Sequence, residues 1–223
     1  MLQQVVSVDT LTESNCYILA EGDRCVVIDP GESEGLFRIL KKRNWTPELI
    51  LLTHEHCDHM AGLEALRQEY PKARYLATER CDAGVRSARL NMSRVMEVYL
   101  YFRGKPGIHY DPFTGREADE IIPDDAVLKW RNHTFRFVSL PGHTPGSSGI
   151  FLDEKTFFSG DYLIPGEEPI LRFPGGDPEI YATVTEPFLR NLPGEILICP
   201  GHMEQFVLEC SGDRARSCIS YRR

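Results

Sequence analysis

The sequence predicts an α/β fold in which helices cover β-sheets, because two kinds of hydrophobic pattern alternate along the chain. Short apolar runs between polar turns are typical of strands, whereas apolar residues spaced three or four apart are typical of helices. The same layout occurs in both halves of the chain without visible sequence repetition. These observations favour sheets with connecting helices over an all-helical or an all-strand fold.

The first half contains four predicted strands and two predicted helices. The strands are predicted at residues 5–8, 16–19, 25–28 and 49–52. The first helix is predicted over residues 35–42, where Leu36 and Leu40 fall on one face. The second is predicted over about 60–70 and is stopped by Pro71.

The second half repeats this arrangement with five predicted strands and one helix. The strands are predicted at residues 127–130, 134–140, 148–152, 156–159 and 196–199. The helix is predicted over about 178–191, just before the last strand. The segment after Gln205 carries several arginines and is predicted to be a mobile surface tail.

An irregular stretch at about 80–119 separates the halves. It contains an apolar cluster made of Val95, Met96, Val98, Tyr99, Leu100, Tyr101 and Phe102, and basic residues that include Arg86 and Arg89. Two interpretations stay open, a helix packed against the body and a lid that binds substrate. An exposed part of the cluster is a candidate homodimer face. We therefore expect one domain over residues 1–206, with a lid-like insert at 80–119 and a tail at 207–223.

Composition excludes several classes of protein. The formal net charge of −8 argues against nucleic acid as a partner, because phosphate binding needs a basic surface. No apolar run reaches the roughly 18 residues of a membrane span, and the first residues lack a signal-peptide pattern. A cytoplasmic protein with reduced cysteines is expected. Cys25 and Cys199 are predicted core residues, whereas Cys210 and Cys218 are predicted surface thiols.

The segment Thr53-His54-Glu55-His56-Cys57-Asp58-His59 directly follows the predicted strand at 49–52. In extended backbone the side chains of His54 and His56 leave on the same side. Asp58 and His59 follow where the chain turns into a helix, so their side chains can point to a second position next to that of His54 and His56. Imidazole and carboxylate together suit zinc, iron or manganese. The segment therefore predicts a metal site at the end of a strand.

Three more candidate ligands, His143, Asp161 and His202, each follow a predicted strand in a glycine-containing turn. Strand ends are where open α/β folds place their chemistry. The remaining histidines, His109 and His133, are predicted to be a loop residue and a strand-start residue. Structural zinc sites are usually rich in cysteine, and the sequence has no Cys-x-x-Cys pair. A hydrolytic centre with two metal ions is the better prediction.

Taken in this order, the motifs resemble the metallo-β-lactamase superfamily. The resemblance implies an αβ/βα four-layer sandwich with the site at one edge of the paired sheets. It implies two divalent metal ions, zinc by expectation, with iron or manganese as alternatives. The implied ligands are His54, His56 and His143 for the first ion, Asp58, His59 and His202 for the second, and Asp161 as the bridge.

The turns at 142–147 and 171–177 are similar to those of glyoxalase II-like hydrolases. This resemblance implies hydrolysis of a small acyl substrate, a hydroxyacyl thioester or a related ester or lactone. Metal coordination lowers the pKa of water to about 7, and Asp58 would orient the resulting hydroxide. The predicted substrate contacts are Tyr162, Arg172, Arg86 and Arg89.

Other functions stay open at this point. A persulfide dioxygenase with one iron and a phosphodiesterase or nuclease share the histidine motif, and a β-lactamase would normally be exported. Outside enzymology, the chain could be a metal-dependent binding module. Cys57 lies between two ligands, but in alternating geometry it points away from His54 and His56, so we predict no chemical role for it.

Overall fold

The computed structural model describes residues 1–32 and 34–208, and the chain divides into two compact units, Met1–Ile122 and Pro123–Arg223. Each unit contains one six-stranded mixed sheet together with helices, so the predicted α/β class is confirmed. The single domain expected over residues 1–206 stays a prediction. Cys210, Cys218 and the predicted surface arginines of the tail lie outside the described residues.

The sheet of the first unit follows chain order. Its strands are β1 (Gln3–Val8), β2 (Asn15–Glu21), β3 (Arg24–Ile28), β4 (Thr46–Leu51), β5 (Arg74–Thr78) and β6 (Glu120–Ile122). The first three pair antiparallel, whereas β3, β4, β5 and β6 pair parallel. The carboxyl ends of β3 and β4 therefore meet at one edge, where they continue into Asp29 and into the Thr53–His59 segment.

Five α-helices lie within the described residues of this unit. They are α1 (Glu34–Arg43), α2 (Cys57–Met60), α3 (Leu63–Glu69), α4 (Glu79–Val85) and α5 (Met96–Phe102). Apolar residues of α1, α3 and α4 pack with alternate residues of β2 to β5 in one buried core, which contains Leu36, Leu66 and Val85. Burial of this apolar surface is the main term that stabilises the unit.

The helix predicted over about 60–70 is observed as α3, which begins three residues later because the chain is interrupted between α2 and α3. At the interruption the Gly62 amide donates to the Pro30 carbonyl over 2.7 Å. A Cβ at Gly62 would lie only 2.7 Å from the Glu32 carbonyl oxygen, so only glycine allows this close approach. The close contact with the loop after β3 ends α2 after four residues.

The apolar cluster of the insert is only partly buried. Met96 and Leu100 of α5 are buried, which confirms the packed-helix interpretation for these two residues. Val98, Tyr101 and Phe102 are exposed and line an open groove with Ile108 and its neighbours. A homodimer through this face stays a prediction.

The strands of the second unit also lie in chain order across their sheet, from β7 at one edge to β12 at the other. Its strands are β7 (Val127–Trp130), β8 (His133–Ser139), β9 (Ser148–Leu152), β10 (Thr156–Gly160), β11 (Ile196–Pro200) and β12 (Phe206–Leu208). All neighbours pair antiparallel except β10 and β11, which pair parallel. Because β12 pairs with β11, the prediction of a mobile tail directly after Gln205 is wrong for these three residues.

The helix predicted over 178–191 is confirmed as a continuous helical run. It consists of α6 (Pro178–Ile180), a π-helical turn (Tyr181–Thr185) and α7 (Glu186–Arg190). Leu189 of α7 packs with Phe157 and Ile198 of the sheet in the core of this unit. Throughout residues 1–32 and 34–208, no helix has the length and apolar character that crossing a bilayer requires.

Candidate metal centre

The first two predicted ligands lie at the carboxyl end of β4. His54 and His56 are buried, with their ring centroids 4.8 Å apart, and at least one nitrogen of each lies within 4.8 Å of the other. Two residues of extended chain place both rings on the same side, as the spacing predicted.

Asp58 and His59 lie on α2, which begins immediately after His56. The Asp58 carboxylate and the His59 Nε2 atom are 3.8 Å apart, and the His54 and His59 ring centroids are 4.3 Å apart. The hydroxyl of Ser14 donates to the Asp58 carbonyl over 2.6 Å. A Cβ at Gly31 would lie 2.0 Å from the same carbonyl oxygen, so the loop after β3 must carry glycine there.

Asp29, a residue without a predicted role, organises this group. It is buried, and its carboxylate accepts bonds from the Thr53 amide (2.7 Å), the Thr53 hydroxyl (2.6 Å) and His59 Nδ1 (3.3 Å). The parallel pairing of β3 with β4 brings Asp29 beside Thr53. A carboxylate at the end of the strand next to the histidine motif is the signal that could have predicted this role.

These bonds determine which nitrogen of each ring carries the proton. The Thr53 hydroxyl gives its only hydrogen to Asp29, so its oxygen accepts from His54 Nδ1 over 3.1 Å. His59 likewise donates from Nδ1 to the Asp29 carboxylate. In the neutral rings the lone pair is then on Nε2 of both histidines. Orientation of ligand histidines through Nδ1 is typical of metal sites.

In the second unit, three strands end at the same edge. The strands β10 and β11 are parallel, and β8 runs in the same direction because it is antiparallel to β9, which is antiparallel to β10. Their carboxyl ends continue into His143, Asp161 and His202. The prediction that these three residues follow strands is confirmed.

Asp161 lies between His143 and His202. One carboxylate oxygen is 3.4 Å from His143 Nε2, and the other is 3.6 Å from His202 Nε2. His143 Nδ1 is 2.8 Å from the Ile170 carbonyl, which can only accept, so Nδ1 carries the hydrogen and Nε2 the lone pair. A carboxylate that faces two imidazoles in this way has the chemistry of a bridging metal ligand.

Tyr162 supports the turn that carries His143. Its hydroxyl donates to the Leu140 carbonyl and accepts from the His143 amide, both over 2.8 Å. Burial is the main reason that the pKa of Tyr162 is raised, so the hydroxyl keeps its proton. Only 1% of the residue is exposed, which leaves little surface for the substrate contact that the sequence predicted.

Tyr162→Phe is expected to lower the free energy of unfolding by about 1–3 kcal/mol, because two buried backbone groups lose their hydroxyl partner. Urea denaturation followed by circular dichroism measures this loss. Tyr101→Phe, at an exposed position, is the control and should change the value by no more than about 0.5 kcal/mol. An unchanged unfolding midpoint for Tyr162→Phe would contradict the supporting role.

The three predicted arginine contacts differ in their surroundings. Arg172 and Arg89 are exposed. Arg86 is bound by the buried Asp82 carboxylate, with contacts of 2.9 Å from both Nε and a terminal nitrogen. The guanidinium of Arg86 therefore already has an anionic partner within its own unit.

Cys57 is buried at the first position of α2, as its predicted direction required. Burial, followed by the charge of Asp58, raises the pKa of its thiol far above the neutral range. The thiol is therefore protonated at neutral pH, which argues against a nucleophilic cysteine. Cys25 and Cys199 are also buried, as predicted, and His109 and His133 lie in a loop and at the start of β8.

Comparison with known proteins identifies a family whose matched region contains the residues described above. The sequence model of the Metallo-beta-lactamase superfamily matches residues 9–202, a span that includes all seven predicted ligands. The chain belongs to the metallo-β-lactamase superfamily. The match includes residues of both units, and the resemblance noted in the sequence is confirmed.

Two curated relatives and one solved structure illustrate the similarity. The chain is 30% identical to the "Probable metallo-hydrolase YqgX" of Bacillus subtilis over 85% of each chain. It is 28% identical to a hydroxyacylglutathione hydrolase of Klebsiella pneumoniae over 89% of its own length, but spans only 65% of that protein. The crystal structure of the BLEG-1 B3 metallo-β-lactamase is 26% identical, with a TM-score of 0.77 and coverage of 93% and 94%.

Proposed function

We propose that the chain is a hydrolase that uses two divalent metal ions to cleave a small thioester, of the hydroxyacyl type, or a related ester or lactone. The observation that carries the proposal is the Asp161 carboxylate, each of whose oxygens faces one imidazole. Similarity to a hydroxyacylglutathione hydrolase supports the choice of a thioester.

The donor set suits such ions. It offers imidazoles and carboxylates without cysteine, a combination that catalytic zinc sites use and that also accepts iron or manganese. The hydrogen bonds of His54, His59 and His143 leave the Nε2 lone pair of each ring for coordination. We propose zinc as the resident metal.

The proposal assigns three ligands to each ion and one ligand to both. The ligands would be His54, His56 and His143 for one ion, and Asp58, His59 and His202 for the other, with Asp161 between them. The bound ions would supply a water of lowered pKa and polarise the scissile carbonyl. The protein itself holds the ligands in fixed orientations. Asp29 orients His59, and the Ile170 carbonyl orients His143.

Two further tasks fall to side chains of this protein. The Asp58 carboxylate accepts a hydrogen bond from the attacking water and orients it toward the carbonyl. Arg172 and Arg89, both exposed, are the candidates that bind an anionic group of the substrate through charge-assisted hydrogen bonds. Arg86 is the weaker candidate because Asp82 already binds it.

The test combines metal analysis with turnover assays on thioesters, lactones and phosphodiesters. We expect about two ions per chain, release of free thiol from a thioester, loss of activity on chelation and no O₂ consumption. O₂ consumption with a persulfide would instead identify the dioxygenase, and turnover of phosphodiesters alone would identify the nuclease class. Bound metal without turnover of any substrate would leave a binding module.

A further inference from the structure

A buried turn of the insert, centred on Asn91, contacts the start of the ligand helix α2. Asn91 is 0% exposed, and its backbone carbonyl accepts a hydrogen bond from the Cys57 amide over 2.7 Å. That amide belongs to the first turn of α2, where helices leave N–H groups without partners inside the helix. No side chain caps this helix end, so the Asn91 carbonyl takes over that task.

The Asn91 side chain holds its own carbonyl in this position. Its amide nitrogen donates to the carbonyls of Phe113 (2.8 Å) and Val85 (3.4 Å), and its side-chain oxygen accepts from the Ser93 amide (2.9 Å). The turn also needs Met92 at φ 68°, a left-handed conformation that is unfavourable for methionine. The hydrogen bonds of Asn91 connect both ends of the insert and stabilise this turn.

Tyr110 is a second residue of the insert that contacts the start of α2. The hydroxyl of Tyr110 and the thiol of Cys57 are hydrogen-bond partners, and Tyr110 also lies near the charge of Asp58. Cys57 immediately precedes Asp58 and His59. With four residues, α2 is far shorter than a helix that is stable alone, so the positions of both ligands depend on neighbouring contacts.

We propose that Asn91 is a positioning residue for the second metal ion, because it fixes the helix that presents Asp58 and His59. This inference rests on the proposed two-metal function. It assigns part of the insert to the construction of the metal centre, in addition to any contact with substrate. It also predicts that a substitution in the Asn91 turn lowers the affinity for the second ion. The affinity for the first ion, which His54 and His56 would hold from the end of β4, should stay unchanged.

The test is the variant Asn91→Ala, with Leu40→Ala as the control. Leu40 is fully buried in α1, so its truncation lowers stability in the same unit without removing a hydrogen bond of the turn. Each protein is titrated with Co²⁺, and affinities are measured by absorption and by competition with a chelator. We expect Asn91→Ala to bind the second ion roughly tenfold more weakly with an altered Co²⁺ spectrum, as for other residues that orient ligands. Leu40→Ala should bind both ions as the wild type does.

Tyr110→Phe provides an independent measurement, which decides the matter if Asn91→Ala does not fold. It removes only the hydroxyl beside Cys57. We expect the affinity for the second ion to fall several-fold and the affinity for the first ion to stay unchanged. Wild-type affinity for both ions in the folded variants would overturn the positioning role alone. A wild-type protein that binds no second ion would overturn the proposed two-metal centre itself, so the two failures are distinguishable.

Discussion

Asp161→Ala is expected to lower metal content and hydrolytic rate together, with a rate loss of about 10³-fold. The carboxylate faces both His143 and His202 at 3.4 and 3.6 Å, so its removal takes a shared ligand from both proposed ions. Lewis-acid stabilisation of a transition state amounts to several kcal/mol, and each 1.36 kcal/mol corresponds to a factor of ten. Metal analysis and a thioester assay on the same sample measure both effects.

The second unit offers a matched control for this variant. Asp153 also accepts a bond from a histidine, with its carboxylate 2.5 Å from His133 Nδ1, but neither residue is a predicted ligand. Asp153→Ala should keep the metal content and rate close to those of the wild type. A fully active Asp161→Ala protein would rule out the bridging role.

Asp29→Asn is expected to lower the affinity for the second proposed metal ion by about 10–100-fold. It is also expected to lower the free energy of unfolding by about 1–3 kcal/mol. The carboxylate uses both oxygens as acceptors for Thr53 and His59, whereas an amide offers one oxygen and a donating nitrogen. Asparagine tolerates the left-handed backbone at this position, where φ is 53°, so the backbone itself is not the cause. Chelator competition and urea denaturation are the measurements.

Asp82→Asn separates these two effects. Asp82 is a buried carboxylate of the same unit, bonded to the Ala118 amide and to Arg86 instead of to a ligand. We expect it to lose stability while metal affinity stays within about twofold of the wild type. If Asp29→Asn behaved in the same way, Asp29 would be a purely structural residue.

Hydrophobic patterns predicted most elements of the fold, and the misses have physical reasons. The buried strand β5 begins with an arginine and ends with a threonine, so only three of its residues are apolar, and one of these is alanine, which is depleted in strands. The strands β6 and β12 have three residues each and exist only because a longer neighbour pairs with them. The break between α2 and α3 depends on the approach of the Pro30 loop, which no local pattern shows.

The candidate ligands stood out because they are His and Asp residues in the segments that follow strands. Asp29 escaped notice because its role depends on strand register, which sets Ile28 opposite Leu51 and so brings the next residues together. Asn91 gave no signal, since its partners Val85, Ser93 and Phe113 belong to a stretch without periodicity. Candidate ligands can therefore be proposed from residue type, whereas the residues that orient them depend on contacts between distant segments.

The four-residue length of α2 also bears on the order of events during folding. The His54–His56 pair needs only the end of β4, a local piece of chain, to bring its two rings together. The helix that carries Asp58 and His59 depends in addition on Asn91 and its partners Val85 and Phe113, which lie well beyond it in the chain. We therefore expect the second ion of the proposed centre to bind only to a chain whose insert has folded, so metal binding at that position would report on folding of the insert.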